Sequence, residues 1–149
     1  LKRIALFVAI LVVLGTATAW TEGDFGLGIV LGQPTGISAK YWLSVRSSID
    51  GAAAWSFVHK GSLYLHVDYQ YYVFDLASVQ SGRLGFFLGL GGRLLFADDF
   101  NLGLRVPLGL IYLFSDLPLD VFLEVVPIME LLPATAASGG AAIGLRYYF

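Results

Sequence analysis

LYLHVDYQYYVF, residues 63–74, alternates two kinds of side chain. Leu63, Leu65, Val67, Tyr69, Tyr71 and Val73 fall on one parity; Tyr64, His66, Asp68, Gln70, Tyr72 and Phe74 fall on the other. A period of two is that of a β-strand, so the segment has one oily face and one polar face. Which of the two faces the solvent decides the fold.

Composition narrows the choice. The chain has 149 residues, a mean hydropathy of +0.75 and 13% charged residues, about half the charge usual in a soluble domain. No basic excess points to nucleic acid, and with 0 cysteines neither disulfides nor thiolate metal sites can form. Residues 1–19 read as a cleavable signal peptide. Lys2 and Arg3 precede an apolar stretch from Ile4 to Leu14, then Ala17-Thr18-Ala19 supplies a small-residue cleavage site. As a membrane anchor the stretch is short, since a spanning helix needs about 20 apolar residues. Removing 19 of the 149 residues leaves 130, with 7 basic and 11 acidic side chains, a net charge of −4. Further on, charges from Lys40 to Glu130 recur too often for a spanning helix, and Leu131 to Leu145 is broken by Pro133 and Gly139-Gly140.

The alternation recurs near 25–32, 37–45, 48–57, 83–96, 101–114, 119–131 and 141–149, separated by turn signals such as Gln33 to Gly36 and Pro133 to Gly140. Pro107 and Pro127 fall inside two of these segments, where proline interrupts the ladder and predicts a bulge or a shortened strand. One parity carries Leu, Ile, Val, Phe and Tyr with no charge. The other carries Lys40, Asp50, His66, Asp68, Arg93, Arg105, Asp120, Glu124, Glu130 and Arg146 among glycines and alanines. The interior of an eight-stranded barrel is narrow and is filled by its own side chains, so inward glycines suit it and a full set of bulky residues does not. The oily face therefore points outward. The expectation is an all-β chain: 1–19 a signal peptide, 20–149 an eight-stranded antiparallel transmembrane up-and-down β-barrel. With both chain ends on the periplasmic side, Phe25, Tyr41, Tyr69, Tyr71, Phe86, Tyr112, Phe114, Tyr147 and Phe149 form one aromatic girdle. Trp55, Phe57 and Phe96 form the other.

The C-terminal run IGLRYYF, with Leu145, Tyr147 and Phe149 at alternate positions, resembles the sorting signal of bacterial outer-membrane barrels. That resemblance implies recognition by the barrel-assembly machinery. The overall plan resembles eight-stranded barrels of the outer-membrane protein X type and the membrane domain of outer-membrane protein A. GQPTGISAKYWLS, DGAAAWSF, RVPLGLIYLF and PLDVFLEVVPIMEL resemble a group of small, functionally uncharacterised bacterial barrels. The resemblance implies a monomer in the bacterial outer membrane, in contact with its lipid and lipopolysaccharide, with no nucleic acid and no cofactor. In this chain the expected external loops are short, unlike those of the protein X type.

Three functions fit such a chain. A salt-bridged polar interior gives a structural or surface-interaction protein. The same charges lining an aqueous path give a narrow pore for ions or small solutes. His59 with Ser62 in an expected outer loop suggests a lipid A-modifying enzyme, although a hydrolase also needs an orienting carboxylate and an oxyanion site. The runs GLGIVLG and GLGLGG lack the helix that a dinucleotide loop requires. Asp98-Asp99 supplies two of the 6–8 ligand atoms calcium needs and reads as a solvated turn.

Overall fold

The computed structural model describes residues 23–33, 35–56, 61–74 and 82–149. The expected signal peptide, Phe57 and His59 lie outside them. Nine strands follow one another: β1 (Phe25–Gly32), β2 (Gly36–Trp42), β3 (Ser47–Ser56), β4 (Ser62–Phe74), β5 (Gly82–Phe96), β6 (Phe100–Arg105), β7 (Leu108–Phe114), β8 (Leu119–Leu132) and β9 (Ala136–Tyr148). Each is antiparallel to its neighbours, and pairing of β1 with β9 closes the sheet into a ring.

Nine strands replace the eight expected because the segment 101–114 is divided. β6 and β7 lie end to end between the same two neighbours, β5 and β8. The break falls at Val106-Pro107, opposite Pro127. Proline has no N–H to give, so two ladders lose a donor at the same place. What remains is carried by carbonyls: Gly89 N donates to Pro107 O at 2.8 Å and Val106 N donates to Pro127 O at 3.0 Å. Pro127 itself neither shortens nor breaks β8, which runs on to Leu132; the register shift in that strand comes later, opposite Leu102 and Gly103.

The ring is staggered. From Gly28 the pairs run through Ser38, Ala52, His66, Arg93, Gly103 and Glu130 to Ala136, whereas Gly28 itself pairs with Arg146, a stagger of 146 − 136 = 10 residues. A sheet with such a shear closes only if its strands tilt to the ring axis. One end, called lower here, holds Gly23 and Phe149, joined by a 2.5 Å backbone hydrogen bond; the upper end holds Gly32, Ser56, Phe96 and Leu132, where β1, β3, β5 and β8 finish.

Burial sorts the two parities. On β4 the polar parity from His66 to Phe74 is buried throughout, while Val67, Tyr69, Tyr71 and Val73 are exposed, Val67 at 62%. The same sorting recurs around the ring: Ile29, Leu88, Leu90, Leu110, Leu123, Ile143 and Leu145 are on the outside. Among the described residues, apolar packing inside the ring joins Tyr72, Phe74, Phe87, Ile111 and Phe122 with Val30 and Ala142, and Trp42 and Leu113 lie beside them. Tyr72 and Phe74 stack at 5.8 Å between ring centres and Trp42 leans on Tyr72 at 4.6 Å.

Candidate functional site

Charged side chains fill the middle of the ring because the inward parity of six of its strands delivers them there. β2 contributes Lys40, β3 Asp50, β4 His66 and Asp68, β6 Arg105, β8 Asp120 and Glu124, and β9 Arg146. All eight are buried. A charge taken out of water must be paired and hydrogen-bonded, or it costs several kcal/mol.

Two arginines act as hubs. Arg146 donates from Nε to Asp120 at 3.0 and 3.2 Å and from Nη1 to the Asp50 carboxylate and to Ser38 Oγ, the latter at 3.3 Å. Its guanidinium lies 4.0 Å above the Phe122 ring, and Tyr148 donates its hydroxyl proton to Asp120. Arg105 donates from Nη1 to the Tyr64 hydroxyl at 2.5 Å and approaches Glu124 with Nη2 at 3.5 Å. Its Nε lies 2.9 and 3.0 Å from the two oxygens of Asp68 but directs its hydrogen bond at Oδ2. Oδ1, pressed against Gly91, is left without one.

Lys40 serves a third set. Its ammonium is 3.7 Å from Asp50 and donates to the Tyr72 hydroxyl, to Gln70 at 2.7 Å and to Ser48 at 3.4 Å. It also sits 4.6 Å from the Tyr72 ring centre and 5.3 Å from that of Trp42, where the negative ring faces favour a cation. The ammonium thus joins the polar side chains to the aromatic ones.

His66 stands between the hubs. Arg105 Nη1 is 2.9 Å from its Nδ1, and a guanidinium can only donate, so Nδ1 accepts and the ring proton sits on Nε2. Nε2 in turn faces Asp50 at 3.6 Å and Asp68 at 3.7 Å. One ligand atom from each of Asp50, His66 and Asp68 lies within 4.8 Å of the others, the spacing of a metal triangle. Its chemistry argues otherwise: Nε2 is protonated, and Lys40, Arg105 and Arg146 already serve these carboxylates. The arrangement is one of pairing.

Arg93 and Glu130 are not part of this layer. They pair with each other nearer the upper end, where Ser138 Oγ is 3.5 Å from Glu130 Oε1. The ten charged positions of the inward parity thus form two groups rather than one. Sequence reasoning did not single out the hydroxyls of Tyr64, Tyr72, Tyr148 and Ser48 that complete the network. Their signal was inward parity combined with a donor group.

On the outer face Tyr41, Trp55, Tyr69, Tyr71 and Phe114 are exposed, as are Leu145 and Tyr147 on β9 and Phe149 just after it. Tyr112 on β7 is less open than these. It is half-buried, folded down against Gly82 and set edge-on to Phe114 at 4.8 Å. Compared with protein-family models, with curated proteins and with solved structures, the chain finds no match in any of the three.

Proposed function

We propose that this chain is an integral β-barrel of a bacterial outer membrane, with eight staves if β6 and β7 count as one. Its role is non-enzymatic, structural or in surface interaction, and its polar interior is closed by salt bridges. The observation that carries the reading is the inverted burial. Arg105, Arg146 and Lys40 are each 1% exposed while Leu90 and Val67 on the outside are 62% exposed. Water does not favour a ring of bare Leu, Ile and Val; a hydrocarbon phase does.

Dimensions support it. Phe86 and Phe96, both outward, are separated by ten residues of β5, roughly 33 Å along a strand. At a tilt near 40° that is about 25 Å of height, the thickness of the apolar band of such barrels. Backbone groups in hydrocarbon must be paired within the protein, and a closed antiparallel ring meets that demand. In this reading residues 1–19 are removed on export, and the barrel-assembly machinery engages the strand bearing Leu145, Tyr147 and Phe149. The protein is a monomer surrounded by lipid and lipopolysaccharide.

The plugged interior is favoured over a narrow pore because polar and aromatic side chains interlock across it. Asp68, Tyr72, Ile111 and Asp120 are all 0% exposed. A cysteine scan tests the membrane reading, since the chain has 0 cysteines of its own. Leu88→Cys and Leu145→Cys, in protein refolded into phospholipid vesicles, are expected to resist a water-soluble maleimide, while Asp98→Cys in a turn reacts at once. Equal reaction at all three positions in folded protein would sink the proposal.

A further inference from the structure

The wall of the ring is not of even height. β1 has 8 residues and β2 has 7, whereas β5 has 15, β8 has 14 and β9 has 13. At about 3.3 Å per residue and a tilt near 40°, β1 and β2 rise only about 20 Å, less than the apolar band of about 25 Å. The pairing of β1 with β9 ends at Gly32↔Ala142, and just beyond it the Gln33 N–H donates to Ala141 O at 2.9 Å. β9 nevertheless continues upward to Ala136, paired with β8 as far as Glu130.

Above the short hairpin the wall is therefore notched, and burial records it. Along β9 the alternation of buried and exposed residues holds from Ala142 downward, but Ala136, Ala137, Ser138 and Gly139 are all exposed whichever way they point. Both faces of the strand are open there, and every side chain is small.

Two features meet at this notch. On the outside, directly beneath it, an apolar groove of about 180 Å³ follows the β1–β9 seam between Ile29 and Leu31 on one strand and Ile143 and Leu145 on the other. On the inside, the Arg93–Glu130 pair is reached by solvent, with 11% and 27% of the side chains exposed, while the charges of the central network are sealed. We infer that the notch is a lateral portal for a single-chain amphiphile from the surrounding bilayer, its tail lying in the seam groove and its zwitterionic head beside Arg93 and Glu130.

This inference rests on the membrane reading. One cation beside one anion complements a head that carries both charges. A single groove of this size, which Val121 of β8 also lines, takes one chain. The edge of β9 facing the notch also has backbone groups to satisfy, which a polar head or its water can do and bare hydrocarbon cannot. A peptide strand could pair with that edge, but it would leave the apolar groove and the charged pair unexplained.

The test is photolabelling in phosphatidylcholine vesicles that contain lysophosphatidylcholine with a diazirine next to its headgroup, adducts being mapped by mass spectrometry. Label is expected several-fold enriched at residues 136–140 and Glu130 over outward residues such as Leu65 and Leu94 on the far side of the ring. Arg93→Gln with Glu130→Gln, which keeps side-chain size close and leaves the central network alone, is expected to abolish the enrichment. Even labelling around the ring would overturn the portal and leave the membrane reading standing. No lipid adduct at any residue of folded protein would remove both. Dimers cross-linked through residues 136–140 in place of lipid adducts would overturn it in favour of an edge-to-edge partner, and equal enrichment with a two-chain lipid of the same head would overturn the single-chain assignment.

Discussion

Gly91 and Gly92 are neighbours in sequence and opposites in the wall. A Cβ on Gly91 would come within 1.9 Å of Asp68 Oδ1 and 2.3 Å of the Val67 carbonyl, so only glycine lets that carboxylate lie flat beneath Arg105. A Cβ on Gly92 would find its nearest atom at 3.8 Å, an ordinary contact. Gly91→Ala is therefore expected to destabilise by about 1–3 kcal/mol through overpacking, and Gly92→Ala to stay within about 0.5 kcal/mol of the parent, both read from urea unfolding in detergent micelles. Arg105→Leu goes further. It leaves Asp68 and Glu124 without their guanidinium, and breaking a buried pair from one side costs about 3–5 kcal/mol. Restoring much of that stability with Asp68→Asn and Glu124→Gln in the same chain would show that the loss is stranded charge. No recovery would mean that Arg105 matters as bulk. At this scale the sequence was half legible. Parity put His66, Asp68 and Gln70 on one face, but which charge meets which depends on a stagger that no single strand contains. For the same reason Arg93 and Glu130 could not be told apart from the central group.

Among the elements, β4 was legible and β9 was not, for the same physical reason. β4 pairs on both sides over most of its length and has a lipid-like face against a polar one, so its amino acids alternate sharply. The upper part of β9, Ala136 to Gly140, reads as a turn because nothing there alternates: both faces are exposed and the residues are Ala, Ser and Gly. It is a strand because β8 holds it, through pairs from Pro127↔Gly139 to Glu130↔Ala136. Pairing on one side should leave its outward-directed amides open. Hydrogen exchange is expected to be fast from Ala136 to Gly140 and slow from Ile143 to Tyr148, where β1 and β8 flank the strand on both sides. Uniformly slow exchange along β9 would mean that another chain or segment covers the upper edge. The division of β6 from β7 was partly legible, since Pro107 announced an interruption. The continuation of β8 through Pro127 was not, because its missing donor faces the gap that Pro107 already makes.

For the whole molecule, the decisive quantity is whether the layers that fill the lumen leave a continuous path for water. From the upper end, solvent reaches Glu130 and Arg93; below them Asp50 and His66 are buried, and beneath these Asp68, Gln70 and Tyr72 are sealed. At the lower end Trp42, Tyr72, Phe74 and Ile111 close the bore beside Tyr148 and the Asp120–Arg146 pair. An ion crossing would first have to replace the partners of Arg105 and Arg146 and then pass side chains packed with no exposed surface, and each step costs several kcal/mol. Refolded protein in a planar bilayer is accordingly expected to be silent. Arg105→Ala and Glu124→Ala, which each remove one side of a pair, should remain silent too, because Tyr72, Phe74 and Ile111 at the lower end are untouched. Only when Phe87→Ala is combined with Arg105→Ala are discrete openings expected. Steady, ion-selective currents from the parent protein would reverse the conclusion: the charges would then line a path, and selectivity that shifts with Arg105→Ala and Glu124→Ala would locate its narrowest point at that pair.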